Sequence, residues 1–190
     1  EQLLLKGEHN LENIAAAVAV SKIIGIPEDK IVHTVQSFKG LEHRLELVGA
    51  VGGITFYNDS FATGPQPTIA AIKSFTEPET LILGGSDKGL DYQELINTIR
   101  NKENVKNLIM IGDTRVKIID TFKGSPFKGK IFDLGYSSMQ DIVNKAFEVT
   151  PKGGVVVLSP ASASFDMFEN YKDRGNQFKK AVLQINEKET

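Results

Sequence analysis

Gly53-Ile54-Thr55-Phe56-Tyr57-Asn58-Asp59-Ser60-Phe61-Ala62-Thr63-Gly64-Pro65 is the stretch whose reading decides the fold of this chain. After the Gly52-Gly53 pair, Ile54–Tyr57 is a short β-branched and aromatic run, which reads as a buried strand. The run gives way at once to small polar residues, and Thr68-Ile69-Ala70-Ala71-Ile72 then reads as a helix. Strand, polar turn and helix in that order form half of a βαβ unit, and open α/β sheets bind ligands at such turns. A second passage of the same kind comes late, where Val155-Val156-Val157-Leu158 runs into Ser159-Pro160-Ala161-Ser162-Ala163-Ser164-Phe165-Asp166. Two polar turns at strand ends point to a site rather than a plain scaffold.

Outward from the first turn, the two periodicities alternate. Pro67–Ser74 reads as a helix, Thr80–Leu83 as a strand, Tyr92–Arg100 as a helix and Val105–Ile111 as a strand. Asp113–Phe122, Lys130–Leu134 and Ser138–Val149 continue as helix, strand and helix, and a last helix runs from about Asp166 to Ile185. Leu81-Ile82-Leu83, Leu108-Ile109-Met110-Ile111 and Val155–Leu158 are apolar throughout, which fits burial on both faces of a parallel sheet. Upstream, Leu45–Val51 and Ile54–Tyr57 meet at Gly52-Gly53, a hairpin signal. Before Gly40 the pattern is purely helical: one helix over residues 10–24 with Asn10 as its N-cap, and a second from Pro27 to Gly40. The expectation is an α/β chain with a Rossmann-like, mostly parallel sheet flanked by helices, one N-terminal hairpin and a preceding helical pair. The boundary falls near Lys39–Leu41 and divides 1–39 from 40–190.

Composition removes several classes of function. The 190 residues carry 22 Lys and Arg against 24 Asp and Glu, so the basic stripe of a nucleic-acid domain is not expected. The absence of cysteine excludes disulfides, thiolate nucleophiles and Cys-zinc sites. His9, His33 and His43 lack a metal-ligand spacing. No segment reaches the ~18 apolar residues of a membrane span, and Glu1-Gln2-Leu3-Leu4-Leu5-Lys6 lacks the features of a signal peptide. These readings favour a cytoplasmic monomer, of which this chain is an internal or C-terminal piece.

Individual motifs each carry two readings. The backbone amides of Gly84-Gly85-Ser86-Asp87-Lys88-Gly89 and the Lys88 ammonium suit an anion, yet the same residues make a flexible turn with a solvated lysine. Arg44 suits bidentate contact with phosphate or ribose oxygens, or sits on the surface. Asn10 and Asn13 share a helix face, as ligand-binding amides or as a cap plus an exposed amide. Asp59 and Ser60 are turn formers, and Thr63, Ser159, Ser162 and Ser164 are candidate caps. Gly-x-Ser-x-Gly is absent, which disfavours a serine hydrolase.

Taken in order, these pieces resemble one family. Gly7-Glu8-His9-Asn10-Leu11-Glu12-Asn13-Ile14-Ala15-Ala16-Ala17 is similar to the HNxxNxxAA segment of the Mur ligases, and Gly40-Leu41-Glu42-His43-Arg44-Leu45-Glu46 to their GLxHRxE linker. The turns at Asn58–Thr63, Gly84–Lys88 and Ser159–Asp166 follow in family order, and Tyr171-Lys172-Asp173-Arg174-Gly175-Asn176-Gln177-Phe178 completes the set. The resemblance implies a three-domain enzyme. Its first domain binds a UDP-sugar, its central domain carries the P-loop and the Mg2+ ligands, and its C-terminal domain binds an amino acid and closes over ATP. Residues 1–39 would be the last helices of the central domain and 40–190 the C-terminal domain, so that this chain alone is inactive. The implied reaction joins D-glutamate to UDP-N-acetylmuramoyl-L-alanine through an acyl phosphate, in the synthesis of peptidoglycan precursors. By the same resemblance, Asn10 and Asn13 contact adenine, and Arg44 and Asp59 hold the ribose and phosphate region of ATP. Thr63 and Lys88 bind the α-carboxylate of glutamate, and Ser164 and Tyr171 its side-chain carboxylate. No covalent catalytic residue is implied in this piece. Phe61 stands where many relatives have lysine, and Tyr171 replaces a common phenylalanine. A ligase for L-glutamate and a non-catalytic nucleotide-binding module therefore stay open, with folate-type ligases a poorer match.

Overall fold

The computed structural model describes residues 3–124 and 127–189. β1 (Glu46–Val51) and β2 (Ile54–Asn58) form the expected antiparallel hairpin. Gly52 and Gly53 turn it with φ of 58° and 81°, the left-handed pair of a type I′ turn that side chains with a Cβ resist. The register of β1 shifts between Leu47 and Gly49, a bulge near its start.

From β2 onward the chain alternates as read. It passes through α3 (Pro65–Lys73), β3 (Glu79–Gly84), α4 (Gln93–Asn101), β4 (Val105–Ile111), α5 (Arg115–Thr121), β5 (Lys130–Gly135), α6 (Met139–Val149), β6 (Val155–Leu158) and α7 (Tyr171–Glu189). Among the described residues, six strands make one sheet of order β1-β2-β6-β3-β4-β5, and every pairing except β1–β2 is parallel. The last strand of the chain thus lies in the middle of the sheet.

β3 and β6 are buried at every position, as the apolar runs Leu81–Leu83 and Val155–Leu158 lead one to expect. Strand side chains alternate between faces, and two cores follow. Leu81, Leu83, Leu108, Met110 and Val157 pack with Ile69, Ile72, Leu95, Ile96 and Ile118 of α3, α4 and α5. Ile82, Ile109, Ile111, Val156 and Leu158 pack on the other face with Ile142, Val143, Phe178 and Val182 of α6 and α7. Each such side chain contributes about 1.5–3 kcal/mol on burial. Among the described residues, one fully enclosed carboxyl lies buried without compensation. Glu79, at the start of β3, is fully enclosed, and neither carboxylate oxygen has a hydrogen-bond partner. Desolvation pushes its pKa up to about 8, opposed by Lys102 and reinforced by Glu77.

The helical pair precedes the sheet as α1 (Glu8–Ile23) and α2 (Glu28–Ser37). α3 begins at Pro65 rather than Pro67 and α5 at Arg115 rather than Asp113, and at α1 and α7 the cap differs from the sequence reading. Gly7, not Asn10, is the N-cap of α1; Asn10 lies inside the helix, where its Nδ2 donates to the Lys6 carbonyl at 2.7 Å. α7 begins at Tyr171 rather than Asp166. The Asn170 side chain accepts from the amides of Lys172 and Asp173, which is the work of an N-cap, while the Asp166 carboxylate is engaged elsewhere. Leu11, Val20, Ile23, Ile24 and Val32 of the pair and its connection stay exposed. Among the described residues, no helix is long and apolar enough to cross a membrane.

Candidate functional site

The polar turns read from the sequence all leave the carboxyl ends of parallel strands, and the fold brings them side by side. The Asn58–Thr63 turn follows β2, and the Ser159–Ser164 turn follows its neighbour β6. Asp59 joins them: its carboxylate accepts from Ser159 Oγ at 2.7 Å and from the Leu45 amide at 3.1 Å. Asp59 is 7% exposed. Burial pushes its pKa up to about 6, against the pull of these two donors and of the Arg44 charge.

The linker before β1 is fixed against the same turn. His43 and Leu45 both have positive φ, at 63° and 46°, so the backbone kinks on either side of Arg44. The His43 amide donates to Glu46 Oε2 at 3.0 Å, and the His43 carbonyl accepts from the Phe61 amide. Asn58 Nδ2 donates to His43 Nδ1 at 2.9 Å and to Glu46 Oε2 at 3.0 Å. His43 Nδ1 is thus an acceptor, which requires the neutral ring, and burial lowers the pKa of His43 in the same sense. Gly175 of α7 lies against this knot; a Cβ there would come 2.3 Å from His43 Nδ1, so only glycine lets the helix approach so closely.

Arg174, which the sequence reading left without a role, holds both turns. Its guanidinium is fully buried. Nε donates to Ser60 Oγ, Nη1 to the Ala163 carbonyl, and Nη2 to the carbonyls of Ser60 and Ser162, all at 2.9–3.1 Å. Burial draws its pKa down to about 10, so it remains a cation at neutral pH. The turn it clasps includes Ala161 in the left-handed region, with φ 56°. Ser162 Oγ meets Tyr92 Oη and Thr114 Oγ1. Neither Ser159 nor Ser162 caps the last helix; both serve the turn-to-turn network. A signal for Arg174 existed. It lies on the α7 stripe of Phe178, Ala181, Val182 and Ile185, all buried, and a cation in an apolar stripe marks a buried charge.

Asn10, Asn13, Arg44, Asp59 and Thr63 line one cavity of about 680 Å³ between the helical pair and the Asn58–Thr63 turn. Its size and largely apolar wall, with a few convergent polar groups, suit a small-molecule ligand. Lys88, Ser164 and Tyr171 do not line it. Lys88 is exposed, its ammonium 5.7 Å from the ring centre of Phe165. Ser164 is buried, and its carbonyl accepts from the amides of Met167 and Phe168. The two loops are joined: the Ser86 amide donates to the Ala163 carbonyl, and Ser86 Oγ to Asp166, which also accepts from the Asp113 amide. Tyr171 lies on the other side of the same turn, its carbonyl accepting from Ser60 Oγ at 2.7 Å. The side chain of His9, part of the first motif, lies outside the described residues.

Among the described residues, Glu42, His43 and Glu46 are the one group that offers three metal-ligand atoms together. The Lys179 ammonium already pairs with Glu42 and Glu46 there. Mg2+ takes an octahedral shell of oxygens, so a neutral imidazole beside a resident ammonium does not fit it.

The sequence matches the family described as "Mur ligase, glutamate ligase domain" over residues 43–162. It is 46% identical over 186 residues to the UDP-N-acetylmuramoylalanine–D-glutamate ligase of Caldanaerobacter subterraneus subsp. tengcongensis, covering 97% of this chain and 40% of that protein. The ligase of the same name from Clostridium botulinum is 41% identical over 188 residues, with the same two coverages. The chain therefore spans about two fifths of the length of these relatives. In fold it is similar to the MurF ligase of Thermotoga maritima, solved with ADP, at a TM-score of 0.67 and 16% identity over 97% of this chain and 40% of that one. It is also similar to the folylpolyglutamate synthase of Mycobacterium tuberculosis, at a TM-score of 0.61 and 14% identity over 92% of this chain and 41% of that one. A six-stranded sheet of this order, the linked polar turns at its carboxyl edge and a family match over well over half of the chain agree: this chain belongs to the Mur ligase family, in its glutamate ligase domain.

Proposed function

We propose that this chain is the amino-acid-binding part of a cytoplasmic, monomeric ATP-dependent ligase that joins D-glutamate to UDP-N-acetylmuramoyl-L-alanine, in peptidoglycan precursor synthesis. The observation that carries this reading is the cavity that gathers Asn10, Asn13, Arg44, Asp59 and Thr63 from three separate segments. Residues 1–39 then belong to the ATP-binding central domain and 40–190 to the closing domain. The exposed apolar residues of α1 and α2 and the left-handed Gly40, with φ 93°, support a division there.

ATP supplies the phosphoryl group that activates the UDP-sugar carboxylate. The amides of Asn10 and Asn13 offer donor and acceptor pairs to the adenine edge. Arg44 offsets phosphate charge, and Asp59 accepts from ribose hydroxyls. Thr63 and Lys88 receive the α-carboxylate of glutamate, and Ser164 and Tyr171 its side-chain carboxylate. The Mg2+ ligands are assigned to the part of the polypeptide outside this chain, because no group among the described residues fits them. Such chemistry needs alignment and charge neutralisation more than a covalent nucleophile. The 190 residues contain no GxxxxGK[ST] loop, so they should release no phosphate by themselves.

The test is phosphate release by the full-length polypeptide with ATP, the UDP-sugar and either D- or L-glutamate. Dependence on D-glutamate supports the reading, dependence on L-glutamate reassigns the substrate, and glutamate-independent behaviour refutes it. Within that assay, Lys88→Ala should raise the KM for glutamate roughly ten- to hundred-fold, the loss of one charge-assisted bond of ~1.5–3 kcal/mol, and leave the KM for ATP nearly unchanged. Equal shifts for both substrates would contradict the placement of Lys88. Arg44→Ala and Asp59→Ala should act on the other side, raising the KM for ATP and lowering kcat together, since a closing domain contributes late in the cycle. Unchanged ATP kinetics in both variants would remove them from the nucleotide site.

A further inference from the structure

We propose that Phe61 is a positioning residue that couples the nucleotide cavity to the amino-acid site, by holding the Arg44 guanidinium on one side of its ring and Tyr171 on the other. This rests on the function proposed above. The Arg44 guanidinium carbon lies 4.2 Å from the centre of the Phe61 ring. Tyr171 meets the same ring in an edge contact, with centroids 4.6 Å apart and planes at 77°. His43 then meets Tyr171 edge-on at 5.8 Å. His43 and Arg44 are adjacent in sequence, so the linker grips a two-ring stack from both ends.

Arg44 has little else to hold it. Among the described residues, no carboxylate lies within ion-pair distance of its guanidinium, and no hydrogen bond from its side chain is found. A cation over an aromatic face is attracted by the ring quadrupole, and edge-to-face ring pairs gain similarly. Phe61 is also fixed from behind, since its amide donates to the His43 carbonyl at 3.1 Å, and it lines the cavity. The stack therefore runs from a residue assigned to ATP, through Phe61, to a residue assigned to glutamate. A lysine in place of Phe61 would put a second cation beside Arg44 and remove the ring that Tyr171 packs on. Phe61 of the turn and Tyr171 of α7 are thus in direct contact with each other.

The test uses the full-length polypeptide with Phe61→Leu, which keeps apolar volume and loses the ring, and Phe61→Tyr, which keeps the ring. Phe61→Leu should raise the KM for both ATP and glutamate by roughly three- to tenfold, the range of one cation–π contact, while Phe61→Tyr restores both. In the double variants, Phe61→Leu should add little to Arg44→Ala for ATP, and little to Tyr171→Leu for glutamate, because each pair shares one contact. A rise in only one KM, or full additivity with Arg44→Ala, overturns the coupling and leaves the ligase reading standing. A wild-type protein without glutamate-dependent phosphate release overturns the ligase reading, and the coupling with it.

Discussion

Arg174→Ala is expected to destabilise this domain by about 4 kcal/mol, enough to unfold many single domains. The side chain is fully buried and makes four hydrogen bonds, three of them to backbone carbonyls of two different turns. Its removal leaves the Ser60 and Ser162 carbonyls without a partner in a dry interior, at roughly 1–3 kcal/mol for each group that water cannot reach, and opens a void; the Ala163 carbonyl keeps the Ser86 amide. The loss falls on the turns that carry Asp59, Thr63 and Ser164, so the site and the fold fail together. Arg174→Lys should recover little, because an ammonium cannot reproduce the planar fork. Urea denaturation followed by circular dichroism decides the matter. A midpoint shift worth less than about 1 kcal/mol in Arg174→Ala would show that the carbonyls find other partners.

The second large effect has the opposite sign. Glu79→Gln should stabilise the protein at pH 8 and leave it nearly unchanged at pH 4. The carboxyl is enclosed without a hydrogen-bond partner, and its pKa stands at about 8 against an ordinary 4.5. Between those values the folded protein keeps a proton that the unfolded chain releases. Stability therefore falls as pH rises through this window, by ~1.4 kcal/mol per unit and by up to about 5 kcal/mol in all. Below the window both states are protonated, and above it both are ionised, so the contribution is flat at either end. Glu79→Gln removes the slope. Asp59 also titrates with a raised pKa, but it is common to both proteins and cancels in the difference. Denaturation midpoints at pH 4.5, 6 and 8 should diverge steadily between wild type and variant. Parallel curves would mean that water or Lys102 reaches the carboxylate after all.

The central strands β3, β4 and β6 were legible because each carries an apolar run closed by turn residues, and parallel strands buried on both faces leave no other pattern. The turns at Asn58–Thr63 and Ser159–Ser164 were legible because small polar residues at a strand's carboxyl end have few other uses. What the sequence hid was the partner of each turn. Ser159 is 100 residues from Asp59, and Arg174 is 114 from Ser60, so no local spacing records these contacts. Helix starts shifted for local reasons that a propensity reading passes over: Asn170 supplies a better cap than Asp166, whose carboxylate is held by Ser86 and the Asp113 amide. The two neighbours of Phe61, Arg44 from the linker and Tyr171 from α7, come from opposite ends of the domain, so the sequence around position 61 does not record them.

The order of the strands has a consequence for how the domain is made. β6 lies between β2 and β3, yet among the described residues it is the last of the six strands in chain order. Until they emerge, the β1–β2 hairpin and the β3–β4–β5 block share no backbone pairing and are two unconnected half-sheets, each with an open edge facing the gap. Neither can close around the other early, because non-local pairing must wait for the chain that bridges it. The turn that carries Asp59 and the turn that carries Lys88 belong to different halves and meet only when β6 slides between them. The turn-to-turn network thus waits for β6 and for Arg174 of α7, whereas every residue that lines the cavity precedes Val155; a chain cut short there would keep the cavity's residues and lose the bonds that fix Asp59 and Ser60.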